Sequence, residues 1–343
     1  MAHGTKPAEI GGSERIAVVS MALGYVVGQA LHAAAQLGIA DLVAAGPRPI
    51  DDLAAAVGAH GPSLYRVLRM LAGVGVFIED EGRRFAQTPL SETLRADVPG
   101  SIRAAVIWIN EPMHYRSCGG TLQSVMTGRP AFDDIFGMPY FDYLAAHPDA
   151  ARIWDAGMAC FSELENAAIA RSYSFPAGAQ IVDVGGGQGG FLAEALKTDP
   201  SLRGVLYDLP EVVENPRQLT AACLLERCET VGGDFFEFLP PGADRYVFKR
   251  VLHDWDDETC VELLRRCRQA LPETGRVLVI DAVIPPGNDR HPAKIVDLIM
   301  LTALTGGERT ETEFRALFAA GGFRLTRVIP TPSMLSIVEG APV

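Results

Sequence analysis

An apolar run, a cluster of glycines and a second apolar run at helical spacing constrain this chain more than any other stretch. Ile181, Val182 and Val184 read as a short strand buried on both faces. Five glycines follow among residues 185–190, so the chain can turn sharply and bring bare backbone N–H groups near a ligand. Phe191-Leu-Ala-Glu-Ala-Leu196 then resumes as a helix.

Gly185, Gly187 and Gly190 satisfy the dinucleotide spacing G-x-G-x-x-G, and Asp208 lies 18 residues beyond Gly190, where a ribose-binding acid belongs. A nicotinamide-dependent dehydrogenase is therefore one reading, and a plain tight turn is another. Asp183, just before the glycines, is poorly placed beside a pyrophosphate but well placed for an ammonium group.

From Ala179 onward strands and helices alternate, which implies a doubly wound, mostly parallel α/β sheet of seven strands. Strands are expected at 180–184, 203–208, 228–231, 244–249, 275–281, 323–329 and 334–339, and helices near 189–198, 210–224, 257–271 and 310–320. The last two strands are separated only by Thr331-Pro-Ser333, so they should pair antiparallel, an ending unlike that of a dehydrogenase.

The N-terminal third has a different character. Residues 1–13 are polar and glycine-containing without an apolar signal core, which reads as a disordered tail of a cytoplasmic protein. No uninterrupted apolar run reaches the ~18 residues of a membrane span. Residues 14–105 form one domain and 106–175 a helical linking region before the sheet domain, 176–343. The helices of 14–45 are apolar on most sides and need partners on most sides, which by itself reads as a core. Helices over 49–57 and 62–71, then a hairpin about Glu81-Gly82, make a winged helix, which raises a DNA-binding regulator as a rival. Nine acids against eight arginines over residues 14–105, and a net charge of −12, disfavour nucleic acid and anionic membranes as partners. Cys260 and Cys267 fall on the same helix face as Leu263 and Leu264 and read as buried free thiols; none of the six cysteines shows metal-binding spacing.

Taken in order, the glycine loop, Gly232-Gly-Asp-Phe-Phe236 and Phe248-Lys-Arg-Val-Leu-His-Asp-Trp255 resemble the S-adenosylmethionine (SAM)-dependent O-methyltransferases of the plant caffeate type and their bacterial natural-product relatives. The resemblance spans roughly residues 14–340. It implies a SAM-binding sheet domain, a winged-helix dimerisation domain, a homodimer intertwined through residues 14–45 and an aromatic small-molecule acceptor; the residues themselves offer no metal site, since His253, Asp254, Asp256 and Asp257 lack ligand spacing. It assigns the cofactor to Ser162, Asp183, Gly185, Gly187, Asp208, Leu209, Gly233, Asp234, Phe235 and Lys249: Asp208 to the ribose hydroxyls, Asp234 and Phe235 to the adenine. It makes His253 the general base, held by Asp281 and Glu308. Plant members usually have glutamate at the position of Asp281, one methylene longer, which puts its reach in doubt. Acceptor contacts fall to Trp154, Met158 and Phe161 on one helix face, to Asp254, whose alternative role is to cap the next helix, and to Met300. The same fold also hosts N- and C-methylation and a SAM-dependent hydroxylation.

Overall fold

The computed structural model describes residues 12–343. Most of the expected disordered tail lies outside them; Gly12 and Ser13 open the first helix. The chain divides into two compact units between Glu111 and Pro112. The break falls later than 105/106 because the helix Arg103–Ile109 packs on the second helix of the first unit.

In the first unit, helices α1 (Gly12–Ala22), α2 (Gly24–Gln36) and α3 (Ile39–Leu42) lead to strand β1 (Arg48–Pro49). Helices α4 (Ile50–Val57) and α5 (Gly61–Gly73), strands β2 (Ile78–Glu79) and β3 (Arg84–Ala86), and helices α6 (Pro89–Glu92) and α7 (Arg103–Ile109) follow. The hairpin is closed by Asp80, whose Oδ1 accepts from the N–H groups of Gly82 and Arg84 at 3.0 Å. A third strand, β1, pairs with β3 to complete the wing. Ile39, Leu53, Leu68, Leu71, Phe77 and Phe85 form its core. Unlike α4 and α5, α1 buries no residue: Ile16, Val18, Val19 and Met21 are each more than half exposed, as is Leu23 just beyond it. By length and composition alone, Gly12–Gln36 is apolar enough to cross a membrane, although neither of its two helices reaches that length alone. An apolar surface of this extent needs cover.

The second unit opens with α8 (Pro112–Gly119), α9 (Thr121–Thr127), α10 (Ala131–Phe136), α11 (Tyr140–Ala146) and the long α12 (Pro148–Arg171). Next come β4 (Gln180–Val184), α13 (Gly190–Thr198), β5 (Arg203–Asp208), α14 (Pro210–Val213), α15 (Arg217–Ala221), β6 (Cys228–Gly232) and β7 (Arg245–Lys249). The chain ends through α16 (Asp257–Ala270), β8 (Arg276–Asp281), α17 (Ala293–Ala303), α18 (Glu311–Ala320), β9 (Phe323–Pro330) and β10 (Ser336–Pro342). The seven strands of this unit run in the order β6-β5-β4-β7-β8-β10-β9. Strands β4 to β8 are parallel, and β10 is antiparallel to both its neighbours.

Side chains alternate between two cores on the faces of this sheet. Ile181, Leu206, Val247 and Ile280 enter one; Val182, Val184, Tyr207, Phe248 and Val279 enter the other. That is why these strands read as continuous apolar runs. Two expectations need correction. The helix expected over 210–224 is broken, because Pro216 cannot continue a helix and separates α14 from α15. Helix α17 was not anticipated: Ala-Lys-Ile-Val-Asp-Leu-Ile-Met-Leu-Thr-Ala is apolar almost all round, so it lacks a clear helical stripe. Cys260 and Cys267 are free and wholly buried.

Candidate active site

Strands β4 to β8 end together, and Asp208, Lys249 and Asp281 stand at those ends, with Asp183 one residue short of the end of β4. Asp208 on β5 is in register with Gly232 on β6, and Lys249 on β7 with Ile280 on β8. From β4 the sheet continues to β5 and β6 on one side and to β7 and β8 on the other. A crevice for ligands opens outside the strand ends at such a switch point.

The glycine loop leaves β4 at that point. Gly185, Gly187 and Gly189 have φ of +66°, +58° and +83°, a region where any side chain is strained. A Cβ on Gly186 would sit 2.5 Å from Leu206 Cδ1 and 2.8 Å from the Asp183 carboxyl group. The N–H groups of Gly187 and Leu209 each donate to Asp208 at 2.8 Å, on Oδ2 and Oδ1, so this acid is fixed against the loop. Gly233 donates its N–H to the Asp208 carbonyl at 2.9 Å. Asp234 Oδ1 accepts from the Phe236 N–H at 2.8 Å, and the turn this closes sets the Phe235 ring beside Gly185.

Asp183 is 1% exposed, and among the described residues no donor meets either of its oxygens at full hydrogen-bond geometry, the Leu192 backbone being near it. Burial pushes its pKa up to about 7, against the pull of Lys249 and with help from the Asp208 charge. A buried acid whose hydrogen-bonding capacity is largely unmet, beside a loop of bare N–H groups, suits a ligand bearing a cation. The Lys249 ammonium is 2.8 Å from Glu165 Oε1, and Arg250 grips the same carboxylate at both oxygens, each at 3.0 Å. Neither Glu165 nor Arg250 was anticipated. The signal for Glu165 was present, since it extends the Trp154, Met158, Phe161 stripe of α12 by one further turn.

A short turn, Leu252–Asp254, follows β7 and carries His253, which is 6% exposed. Its Nδ1 lies 3.0 Å from Glu308 Oε1 and its Nε2 3.4 Å from Asp254 Oδ1. Burial would lower the imidazole pKa, but Asp254, Glu308 and Asp281 outweigh it and raise the value to about 9. Burial also pushes Asp254 up to about 6, against the attraction of His253. Asp281 is wholly buried and neither oxygen has a hydrogen-bond partner among the described residues. Glu308 alone bonds Nδ1, and Asp281 acts on the imidazole through its charge. The helix-capping alternative for Asp254 does not hold: Asp256 caps α16, accepting from the Thr259 N–H at 2.8 Å.

Several unanticipated residues hold this turn. Arg309 donates to the carbonyls of Leu252 and Trp255 at 2.9 and 2.8 Å and to Asp257 at 2.9 Å. Asp297 on α17 accepts the Glu308 N–H at 2.9 Å, one turn before the buried Met300. Gly306 packs on the turn so closely that a Cβ would lie 2.1 Å from the His253 carbonyl oxygen. Aromatic rings then bridge the two halves of the crevice. Trp255 meets Phe235 edge-on at 6.4 Å and Phe236 at 4.9 Å and stacks on Phe141 at 5.8 Å, and Phe141 meets Trp154 at 6.4 Å. Phe161 lies under the Arg250 guanidinium at 5.8 Å; Met158 and Ser162 are half-buried on the same helix. Among the described residues, no three His, Cys, Asp or Glu side chains are grouped as metal ligands.

Comparison with known families decides the chemistry class. A model of the O-methyltransferase domain matches residues 121–324, and one of the O-methyltransferase dimerisation domain matches residues 19–97. This chain belongs to the O-methyltransferase family. The phenazine O-methyltransferase PhzM of Lysobacter antibioticus is 44% identical over 95% of this O-methyltransferase and 96% of its own length. The 8-amino-8-demethylriboflavin N,N-dimethyltransferase of Streptomyces davaonensis is 37% identical over 90% of both chains. The crystal structure of CalO1, a methyltransferase of calicheamicin biosynthesis in its SAH-bound form, superimposes with a TM-score of 0.87. It is 41% identical and covers 98% of this chain and all of its own. The glycine spacing of this O-methyltransferase is thus not that of a dehydrogenase, and its winged helix belongs to a dimerisation domain rather than to a DNA reader.

Proposed function

We propose that this O-methyltransferase moves a methyl group from SAM to a hydroxyl of an aromatic small molecule, such as a phenol, quinone or polyketide, in natural-product biosynthesis. His253 is the base that takes the hydroxyl proton. The observation that carries the proposal is the buried imidazole, bonded at Nδ1 by Glu308, at the same sheet edge as the glycine loop. When bound, SAM supplies an electrophilic methyl group on a sulfonium. Asp183 is suited to its ammonium group, Asp208 and Leu209 to the ribose, and Gly233, Asp234 and Phe235 to the adenine. Gly185 and Gly187 let the backbone approach, and Ser162 and Lys249 flank the polar end. The aromatic rings around Trp255 and Trp154, with Met158, Phe161 and Met300, shape the acceptor side and exclude water. Holding two reactants in line contributes ~7–11 kcal/mol to such a transfer.

The acceptor oxygen comes to Nε2, where Asp254 now lies 3.4 Å away. A neutral imidazole there can take the proton as the oxygen attacks; Glu308, with Asp281 behind it, stabilises the imidazolium that results. A second reading, methyl transfer to nitrogen, is favoured by the riboflavin-type N,N-dimethyltransferase relative. It differs in needing no base of this strength.

SAM should bind and raise the melting temperature, and NAD should not. Asp183 is neutral below about pH 7 and charged above it. SAM affinity should therefore weaken up to tenfold per unit as pH falls below 7, and Asp183→Asn should flatten that dependence. Calorimetric titration from pH 6 to 8 checks both; NAD binding more tightly than SAM would contradict the assignment. We also read α1 and α2 as the surface of a homodimer of this cytoplasmic enzyme. Light scattering at micromolar concentration should give a dimer, and deleting residues 1–45 should give insoluble protein rather than a well-behaved monomer.

A further inference from the structure

Glu165, Lys249 and Arg250 form a buried group in which two cations share one carboxylate. Lys249 bonds Oε1 at 2.8 Å; Arg250 bonds Oε1 through Nε and Oε2 through Nη2, both at 3.0 Å. The Lys249 and Arg250 side chains are 8% exposed and that of Glu165 is 6% exposed. One carboxylate neutralises one of the two cations; Asp183, the next acid facing Lys249, is itself pushed toward its neutral form by burial, so the group carries surplus positive charge. Three residues further along, the opposite imbalance occurs. The single imidazole of His253 faces Asp254 from its own turn, Asp281 from the end of β8, and Glu308 from the segment before α18. Arg309, from that same segment, is bound to Asp257 and to the turn's carbonyls. The Arg250 charge reaches Glu308, Asp281 and Asp254.

Arg250 is also held where a flexible side chain would not stay. Its φ is +54°, a strained conformation for a residue other than glycine, and it occurs in the link between β7 and His253. Such strain persists where surrounding contacts over-determine it. Here those contacts are the two-point grip of Glu165, the Arg250 N–H donated to the Ile280 carbonyl at 3.1 Å, and the Phe161 ring.

We infer that Arg250, locked by Glu165, is a positioning residue for proton removal at His253, its guanidinium being the fixed counter-charge to the acids around the imidazole. The inference rests on His253 being the base. Without the counter-charge the acids hold the imidazolium proton still more tightly, and the neutral imidazole that can act as a base near pH 7 becomes scarcer. A salt bridge that only fastened α12 to β7 would behave differently, because breaking it from either side would have the same result. A counter-charge gives opposite results from the two sides.

The test is the titration of His253, followed by NMR in protein carrying 15N-labelled histidine, with the His253→Ala spectrum assigning the signal. Arg250→Met should move the midpoint up by about one pH unit, and Arg250→Lys should return it close to the wild-type value. Glu165→Gln should move it down. Turnover of a neutral phenol at pH 7 should fall about tenfold in Arg250→Met and recover in Arg250→Lys. Midpoints that stay put in Arg250→Met, or that move in the same direction in Arg250→Met and Glu165→Gln, overturn the inference. If Glu165→Gln does not fold, the Arg250→Met and Arg250→Lys pair still decides. Full activity of His253→Ala on the same phenol would instead refute the base assignment, a result separate from the midpoints.

Discussion

His253→Ala should lower turnover of an ordinary phenol by ~10²–10⁴-fold, the range for loss of a positioned general base. A phenol ionises near ~10 and a free imidazole near ~6.5, so the base cannot strip the acceptor beforehand. It must accept the proton while the oxygen attacks. Here the imidazole is tuned upward to about 9, because Asp254, Glu308 and Asp281 surround it in a buried setting. Below about pH 9 the free enzyme therefore holds the imidazolium, and kcat/KM for a neutral phenol should rise with pH up to that value. An acceptor already ionised at pH 7 needs no base, and on it the variant should nearly recover. SAM affinity should barely change, since Asp183, Asp208 and the glycine loop are untouched. Asp281→Asn and Glu308→Gln should each cost less than His253→Ala, with Glu308→Gln the larger loss because Glu308 bonds Nδ1 directly. Single-turnover rates on two acceptors of differing pKa provide the check. Equal, near-wild-type rates on both would leave His253 a structural residue.

Gly306→Ala should cost nearly as much, for a steric reason. A Cβ there would stand 2.1 Å from the His253 carbonyl oxygen and 2.4 Å from the Trp255 nitrogen. Both are backbone atoms, in a turn whose Leu252 and Trp255 carbonyls are held by Arg309, so no rotamer change relieves the clash. Overpacking of this kind costs ~1–3 kcal/mol or more. The turn must shift, taking His253 away from Glu308, and misplacement by an ångström costs ~10²-fold in rate. The melting temperature should fall, turnover should drop about a hundredfold, and SAM should still bind. Unchanged turnover in Gly306→Ala would show that the spacing between this segment and the His253 turn is not critical.

The features legible in the sequence were those whose chemistry is local. The β4 strand and glycine loop announce themselves because left-handed φ values require glycine within a few residues of an apolar run. Asp208 and Lys249 were legible as strand-end residues once the alternation of strands and helices was recognised, and His253 through the motif around it. The hairpin of β9 and β10 followed from a linker too short for a crossover. What could not be read were partnerships between distant segments. Glu165 and Arg250 are 85 positions apart, and Arg309 reaches back 57 positions to the Leu252 carbonyl. The helix stripe marks Glu165 as facing inward, but nothing in the neighbourhoods of Arg250 and Arg309 names their partners. Helix α17 escaped because an element apolar on nearly every side has no stripe to betray its period. The Asp281 side chain illustrates the remaining limit: it ends β8 as expected, but only the fold shows that, of the two acids assigned to hold the imidazole, Glu308 bonds it and Asp281 does not.

The most direct measurement is incubation of the protein with methyl-labelled SAM and a panel of phenolic, hydroxyquinone and arylamine acceptors, with the product's labelled atom located by NMR. The expected result is label on an aromatic oxygen, in a reaction that His253→Ala slows at least a hundredfold on the least acidic acceptor. Label on nitrogen or carbon alone, with His253→Ala as fast as the wild type, would contradict it.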